Sequence, residues 1–215
     1  MDVELKTATE GLYRIFKARP PRSIAACPCC VDEDDVRTLT TTPLRELSAT
    51  ALSSYVSSLF LTAGGPQDYK YFLPRIFDLA PGDPSWASCT EVVFDKLGRG
   101  NWQDWPETER KAVQAFIDAW FEVEIHAIEA MPDYTACGDE IDALVCGLAL
   151  AGADLKPYLT RLLESPAALR AFYYWNQRNL DDSRLSNAFW TDRPQVEKEV
   201  AAFLRSGPVR EIVTI

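Results

Sequence analysis

The residues with the clearest capacity for chemistry are three cysteines within four positions, Cys27-Pro28-Cys29-Cys30. Three thiols this close, just ahead of a helix start, are compatible with a metal site, a reactive thiol or a structural turn. Zinc usually takes four ligands in two separated pairs, and the sequence offers no second pair. If the chain binds a metal, the predicted ion is zinc and the predicted ligands are Cys27, Cys29 and Cys30. Otherwise no cofactor is expected.

The acidic run at positions 32–35 bears on the reactive-thiol alternative. The amide groups of a helix N-terminus lower the pKa of a nearby thiol, whereas these carboxylates would raise it. Acids also suit the cap and first turn of a helix, so the run has a sufficient structural role. The sequence therefore favours a structural turn and leaves the redox and metal alternatives open. The other three cysteines are predicted to be small core side chains: Cys89, Cys137 and Cys146.

No catalytic residue is predicted. His126 is the only histidine, and the chain has no Gly-x-Ser-x-Gly nucleophile elbow. A di-iron bundle would need Glu-x-x-His, but position 123 is Val and only the reversed His126-x-x-Glu129 occurs. Gly98-Arg99-Gly100 is too short for a phosphate-binding loop. These absences favour a protein that is not an enzyme.

The distribution of charge is the most informative pattern. Between Ala112 and Leu155 there are nine acids and no Lys or Arg, in a chain of net charge −10. A helical wheel at about 100° per residue places three of these acids on one side of the longest predicted helix. We call Asp118, Glu122 and Glu129 the acidic ridge. Without a cation on the helix, such a ridge needs water or a basic partner.

Further residues are predicted to extend this partner-binding surface. Asp133 would align with the ridge if the helix continued, and an aromatic anchor is expected at Trp175. Glu124 breaks the pattern by projecting into the apolar sector, so we expect it to be partly buried and paired with an arginine. The candidate arginines are Arg75, Arg161 and Arg170. The predicted partner-binding residues are Asp118, Glu122, Glu129, Asp133, Glu140, Asp142 and Trp175.

Helical spacing dominates the elements that must position these residues. We expect an all-α fold, an irregular multi-helix bundle or an α-solenoid-like array of about ten helices. Ser48 is a predicted N-cap, Pro74 should kink a helix or mark its first turn, and the tail from Val209 is expected to be extended. The helices are expected at about 7–18, 32–39, 48–63, 68–79, 85–97, 106–130, 139–151, 154–164, 166–179 and 194–206.

Length and composition support a single folded domain over residues 1–215. Of the 215 residues 47 % are apolar and 25 % charged, which suits a packed core and excludes a disordered chain. The acidic balance argues against nucleic acid as a partner. The first twenty residues lack the apolar core of a signal peptide, and no stretch has the length of a membrane span. We therefore expect a cytoplasmic protein without a membrane partner.

Three short motifs carry a resemblance to a known group of sequences. They are Cys27-Pro28-Cys29-Cys30 before an acidic helix start, Phe72-Leu73-Pro74-Arg75, and Asn187-Ala188-Phe189-Trp190. Together they resemble a family of uncharacterised bacterial all-helical proteins with a Cys-Pro-Cys-Cys motif. The resemblance implies a helical fold and a bacterial cytosolic origin. That family has no assigned activity, so it implies no catalytic residue.

Two functions from different classes follow from these patterns. The first is a non-enzymatic acidic protein-binding module, for example an immunity or inhibitor protein that neutralises a basic toxin or effector. In that case the acidic ridge, with Glu140 and Asp142 nearby, would face the cationic cleft of the partner. The alternative is a thiol- or zinc-dependent protein centred on the Cys27–Cys30 loop.

Overall fold

A computed structural model describes residues 2–83, 86–131, 133 and 137–214. Over these residues the protein is 70 % helical, with 11 α-helices and no strands, so the all-α prediction is confirmed. No helix in these ranges combines the length and the apolar composition needed to cross a bilayer. The contacts divide the chain into two compact units, Met1–Trp120 and Phe121–Ile215. Whether the chain is a single domain stays a prediction, since this division does not say which part folds alone.

The first unit contains five helices and the first half of a sixth. Their bounds are α1 Val3–Ile15, α2 Glu33–Thr41, α3 Ala49–Ser58, α4 Pro66–Leu79, α5 Thr90–Arg99 and α6 Glu107–Glu129, the last of which continues into the second unit. Side-chain caps define several starts, because the first amides of a helix lack partners within it. Asp32 accepts from the amide of Asp35, and Ser48 accepts from that of Ala51, as predicted.

Aromatic packing forms the core of the first unit. Phe77 of α4 stacks on Phe116 of α6 with ring centroids 4.7 Å apart, and Phe94 of α5 lies against Trp120. These rings are buried, as the helical spacing of their positions predicts. Pro74 lies inside α4 rather than in its first turn, which Pro66 occupies. The predicted start of α5 at position 85 lies outside the described residues.

The described residues of the second unit contain the rest of α6 and five further helices. They are α7 Gly138–Leu150, α8 Lys156–Glu164, α9 Pro166–Asn176, α10 Pro194–Leu204 and α11 Gly207–Val213. The extended tail predicted from Val209 is wrong, since this segment forms α11 and Val209 is buried. Arg170 of α9 donates to the carbonyl of Ile212, and Tyr174 donates to that of Val213. These contacts outweigh the weak strand preference of a short β-branched run.

Close helix packing places the start of α7 against α9. A Cβ atom added to Gly138 would lie 2.5 Å from Cβ of Trp175 and closer still to the carbonyl oxygen of Ala171. Only glycine allows this approach, because real Cβ contacts are not shorter than about 3.0 Å. At the other end of α7, Arg193 donates to the carbonyls of Ala149 and Leu150 and so caps the helix C-terminus.

Candidate functional site

The three cysteines of the Cys27–Cys30 loop bring their sulfur atoms together. Sγ of Cys29 lies 2.8 Å from Sγ of Cys27 and 3.7 Å from Sγ of Cys30. All three sulfurs lie within 4.8 Å of one another. Cys29 and Cys30 are exposed and Cys27 is half-buried, and none of them forms a disulfide. The cluster therefore could bind a metal ion, which is one of the alternatives that the sequence left open beside a structural turn.

Backbone hydrogen bonds hold this loop in a closed turn. The carbonyl of Cys27 accepts from the amides of Cys30 and Val31, at 2.9 and 3.1 Å. The amide of Cys27 donates to the carbonyl of Thr62 at 2.8 Å, so the loop is also tied to the turn that follows α3. The three thiols thus project from a braced segment rather than from a free tail.

The turn after α3 has an uncommon backbone conformation. Phe60 has a φ of 63°, in the left-handed region that a bulky residue rarely occupies. Gly64 also has a positive φ, and its amide donates to the carbonyl of Ala25, two residues before the cysteines begin. Sequence reasoning missed this support, because the pairing joins segments more than thirty residues apart. Two consecutive glycines, Gly64 and Gly65, indicate a turn, but they do not indicate that this turn binds the backbone of the cysteine loop.

Hydrogen bonding between the thiols shifts the pKa values of Cys27 and Cys29 in opposite directions. The hydrogen bond with Cys29 lowers the pKa of Cys27 from its ordinary value. Hydrogen bonds with Cys27 and Cys30 raise the pKa of Cys29 to about 11. Cys27 is therefore favoured over Cys29 as the sulfur that carries a negative charge in the metal-free loop.

The spacing of the sulfurs can be compared with that in a zinc site. A Zn–S bond of about 2.3 Å sets the sulfurs of a tetrahedral site about 3.8 Å apart. The Cys29–Cys30 distance of 3.7 Å already matches this value. The Cys27–Cys29 pair, at 2.8 Å, would have to open by about 1 Å. Cys29 is exposed, so its side chain has room to rotate.

Of the other cysteines, two confirm the prediction that they are core side chains and one does not. Cys137 and Cys146 are buried. Cys89 is exposed, because it occupies the N-cap position of α5 rather than a position on its apolar face.

An arginine compensates part of the negative charge of the acidic ridge. In the second unit, Nε of Arg161 donates to both carboxylate oxygens of Glu122, at 2.9 and 3.1 Å. Glu129 accepts from Oγ of Ser165 at 2.6 Å, and its carboxylate lies 4.0 Å from Arg161. The expectation that Glu122 lacks a cation is therefore wrong, because α8 brings an arginine from 39 residues away. In the first unit, Asp118 is exposed and accepts a hydrogen bond from Gln114.

Two other predicted partner-binding residues also need correction. Asp142 is fully buried, and its Oδ1 accepts from Nδ2 of Asn176 at 3.1 Å and from Nε1 of Trp190 at 3.3 Å. It is a core residue that cannot face a partner, because α7 is buried along almost its whole length. Asp133 is exposed but does not align with the ridge, because α6 ends at Glu129.

Glu124 is half-buried, which confirms the predicted partial burial. Each of the three arginines considered as its partners has a contact elsewhere, and the pairing of Glu124 with an arginine stays a prediction. Arg161 binds Glu122, Arg75 binds Asp78 within the first unit, and Arg170 binds the carbonyl of Ile212. His126 is exposed on α6.

A mixed acidic and apolar surface surrounds the start of α7. Trp175 is 43 % exposed, as predicted for an anchor, and its Cβ lies against Gly138. Met131, 42 % exposed, contacts the sulfur of Cys137 at 3.0 Å. The acids next to these residues are exposed too. We call this surface the Trp175 patch; its members are Met131, Asp133, Asp139, Glu140 and Trp175.

The acids of the Trp175 patch change the pKa values of neighbouring groups. Burial and a hydrogen bond with Asp139 raise the pKa of Glu140 to about 7, and the charge of Glu124 adds to the effect. Burial raises the pKa of the Cys137 thiol, and the negative charges of nearby carboxylates, Glu140 first among them, add to this effect. A cation brought to this surface would relieve the repulsion among these groups. Met131 and Asp139 were not among the residues predicted to bind a partner. Met131 follows the end of a helix and Asp139 lies in the first turn of another, so each had an ordinary structural explanation in the sequence.

Comparison with known proteins assigns the chain to no family. No protein-family model matches it, and no curated protein or solved structure proves similar to it.

Proposed function

We propose that this protein binds a soft metal ion through the thiolates of Cys27, Cys29 and Cys30, with zinc as the first ion to test. The observation that carries the proposal is the convergence of three sulfur atoms within 4.8 Å on one short loop. Thiolates are the ligands that zinc and other soft ions prefer in proteins.

The surroundings of the loop support binding rather than simple packing. Cys29 and Cys30 are exposed and Cys27 is half-buried, so an incoming ion can reach the three sulfurs. The backbone around Cys27 is tied to Thr62 and closed on itself, which reduces the entropy lost when a metal fixes the thiols. The exposed thiols are therefore accessible to an ion, and the braced backbone reduces the entropy that is lost when the ion binds.

Zinc titration of the reduced, metal-free protein tests this proposal. A chromogenic chelator in competition with the protein should report one zinc ion per chain. Replacing all three loop cysteines with serine should abolish this binding. The matched control is Cys89→Ser, which removes an exposed cysteine of the same unit that lies outside the cluster. Equal zinc binding by the wild type and the triple variant would exclude zinc as the ion, and the same result with other soft ions would contradict the proposal.

A second candidate function is the capture of a basic protein at the Trp175 patch. The observation that favours it is the exposure of Trp175 and Met131 beside the exposed carboxylates of Asp133, Asp139 and Glu140. An exposed aromatic side chain within a field of one sign suits a partner of opposite charge. An immunity protein that neutralises a basic toxin domain belongs to this class, and its action would need no catalysis.

Charge reversal at the Trp175 patch tests whether capture of a basic protein depends on this surface or is nonspecific adhesion. We expect Asp139→Lys with Glu140→Lys, or Trp175→Ala, to abolish capture of a basic protein that the wild type binds stoichiometrically and releases in high salt. The matched control reverses Asp181 and Asp182, two exposed acids of the same unit. Glu122 is unsuitable for this test, because reversing it would also break its ion pair with Arg161. Unchanged capture by the patch variants would exclude the patch.

A further inference from the structure

We propose that the Cys27–Cys30 loop is a three-coordinate site for Cu(I), an inference that rests on the metal-binding function proposed above. The number of ligands is the main argument. Among the described residues, the group of His, Cys, Asp and Glu ligand atoms around these thiols has three members, all of them sulfurs. A tetrahedral zinc site requires a fourth ligand, which the loop does not supply.

The nearest acid in sequence is committed to another role. Asp32 follows the loop directly, but its Oδ1 accepts from the amide of Asp35 at 2.7 Å and so caps α2. Recruiting this carboxylate to a metal would leave the helix without its N-cap and so destabilise the start of α2. The loop therefore presents an all-sulfur set of three ligands.

Cu(I) is suited to such a set. It is a soft, monovalent d¹⁰ ion that thiolates select, and it forms stable complexes with three sulfur ligands, whereas zinc completes a tetrahedron. Three thiolates around one monovalent ion leave a local net charge of −2, in a loop that the acidic start of α2 follows. Cys29 and Cys30 are exposed, so one side of the bound ion stays open to an incoming thiol. Binding of Cu(I) as such involves no change of oxidation state, and each thiol releases one proton.

Anaerobic titration of the reduced full chain with Cu(I), in competition with bicinchoninate, tests the ion. We expect one copper ion per chain, and X-ray absorption should show a shell of three sulfurs. Each single Cys→Ser change in the loop should reduce the shell to two sulfurs. It should also weaken affinity by at least the roughly 10–100-fold that loss of an outer-shell partner costs. Cys89→Ser should behave like the wild type.

The outcomes distinguish this inference from the function on which it rests. If zinc binds with three sulfurs and a fourth ligand while Cu(I) shows a two-sulfur shell, the three-coordinate copper site is wrong and metal binding stands. If neither ion binds the wild type better than the triple serine variant, both proposals fail. Melting curves of the metal-free variants separate loss of a ligand from loss of the fold.

Discussion

Arg161 of α8 and Glu122 of α6 form a two-oxygen hydrogen-bonded ion pair, with Nε 2.9 and 3.1 Å from the carboxylate oxygens. The exposed fractions of the two side chains are 24 % and 35 %, so the pair is half-buried. It neutralises the middle of the acidic ridge. The exposed acids of the Trp175 patch lie outside this ion pair.

This ion pair should contribute measurably to stability. A double-mutant cycle with Arg161→Ala and Glu122→Gln should give a coupling energy of about 1 kcal/mol, toward the upper end for partly exposed pairs because the contact involves both oxygens. Urea unfolding at low and high salt provides the measurement, and the coupling should shrink in high salt. Arg178→Ala, a change at an exposed arginine of the same unit, is the control. A coupling near zero at low salt would show that the pair is not formed.

Asp142 should act as a core residue rather than as a binding residue. Asp142→Ala leaves the buried side chains of Asn176 and Trp190 without the oxygen that accepts their hydrogen bonds. We expect the free energy of unfolding to fall by about 2–4 kcal/mol, because unsatisfied buried donors are costly. Denaturant unfolding measures the loss, and the exposed Asp181→Ala serves for comparison. A loss of less than about 0.5 kcal/mol, as at ordinary surface positions, would argue against this packing.

Gly138 should tolerate no side chain. In Gly138→Ala the new methyl group would meet Cβ of Trp175 at 2.5 Å, so α7 and α9 would have to separate. We expect destabilisation by about 1–3 kcal/mol, the usual cost of overpacking. Gly11→Ala is a matched control, because nothing lies within 4 Å of the added Cβ in the middle of α1. That substitution should stabilise the protein by about 0.5–1 kcal/mol, since alanine favours helix more than glycine does. Equal thermal shifts for the two variants would contradict the close approach.

Stability should depend on pH through Glu140. In the folded protein its pKa is about 7, against an ordinary value of 4.5, because of burial and the hydrogen bond with Asp139. The folded state thus binds more protons than the unfolded state between these two values, so stability falls as the pH rises through that window. Glu140→Gln removes the titrating group and should reduce the loss of stability between pH 5 and pH 8.

Urea midpoints at the two pH values check this prediction. Glu199→Gln, the same change at an exposed glutamate of α10, should leave the pH dependence as in the wild type. If Glu140→Gln behaves like Glu199→Gln, the raised pKa of Glu140 is wrong.

The sequence by itself determined the helical class, most helix positions and the closeness of the loop thiols. These features depend on neighbours in the chain: the apolar spacing along α6, the caps Asp32 and Ser48, and three cysteines too near in sequence to be far apart in space. Local backbone geometry determines all of these features, so the order of the residues is sufficient to predict them.

Only the tertiary structure decided which charges are compensated and which thiols and acids reach the surface. The sequence could not show that α8 would bring Arg161 to Glu122, or that the end of the chain would dock on α9 as a helix. The burial of Asp142 against Trp190, 48 residues away, was equally hidden. Such contacts depend on which amphipathic helices pack against each other. Many packing arrangements bury a similar apolar area, so the apolar pattern of one helix does not identify its neighbours. The specific pairing therefore follows from packing of the whole unit rather than from any local pattern.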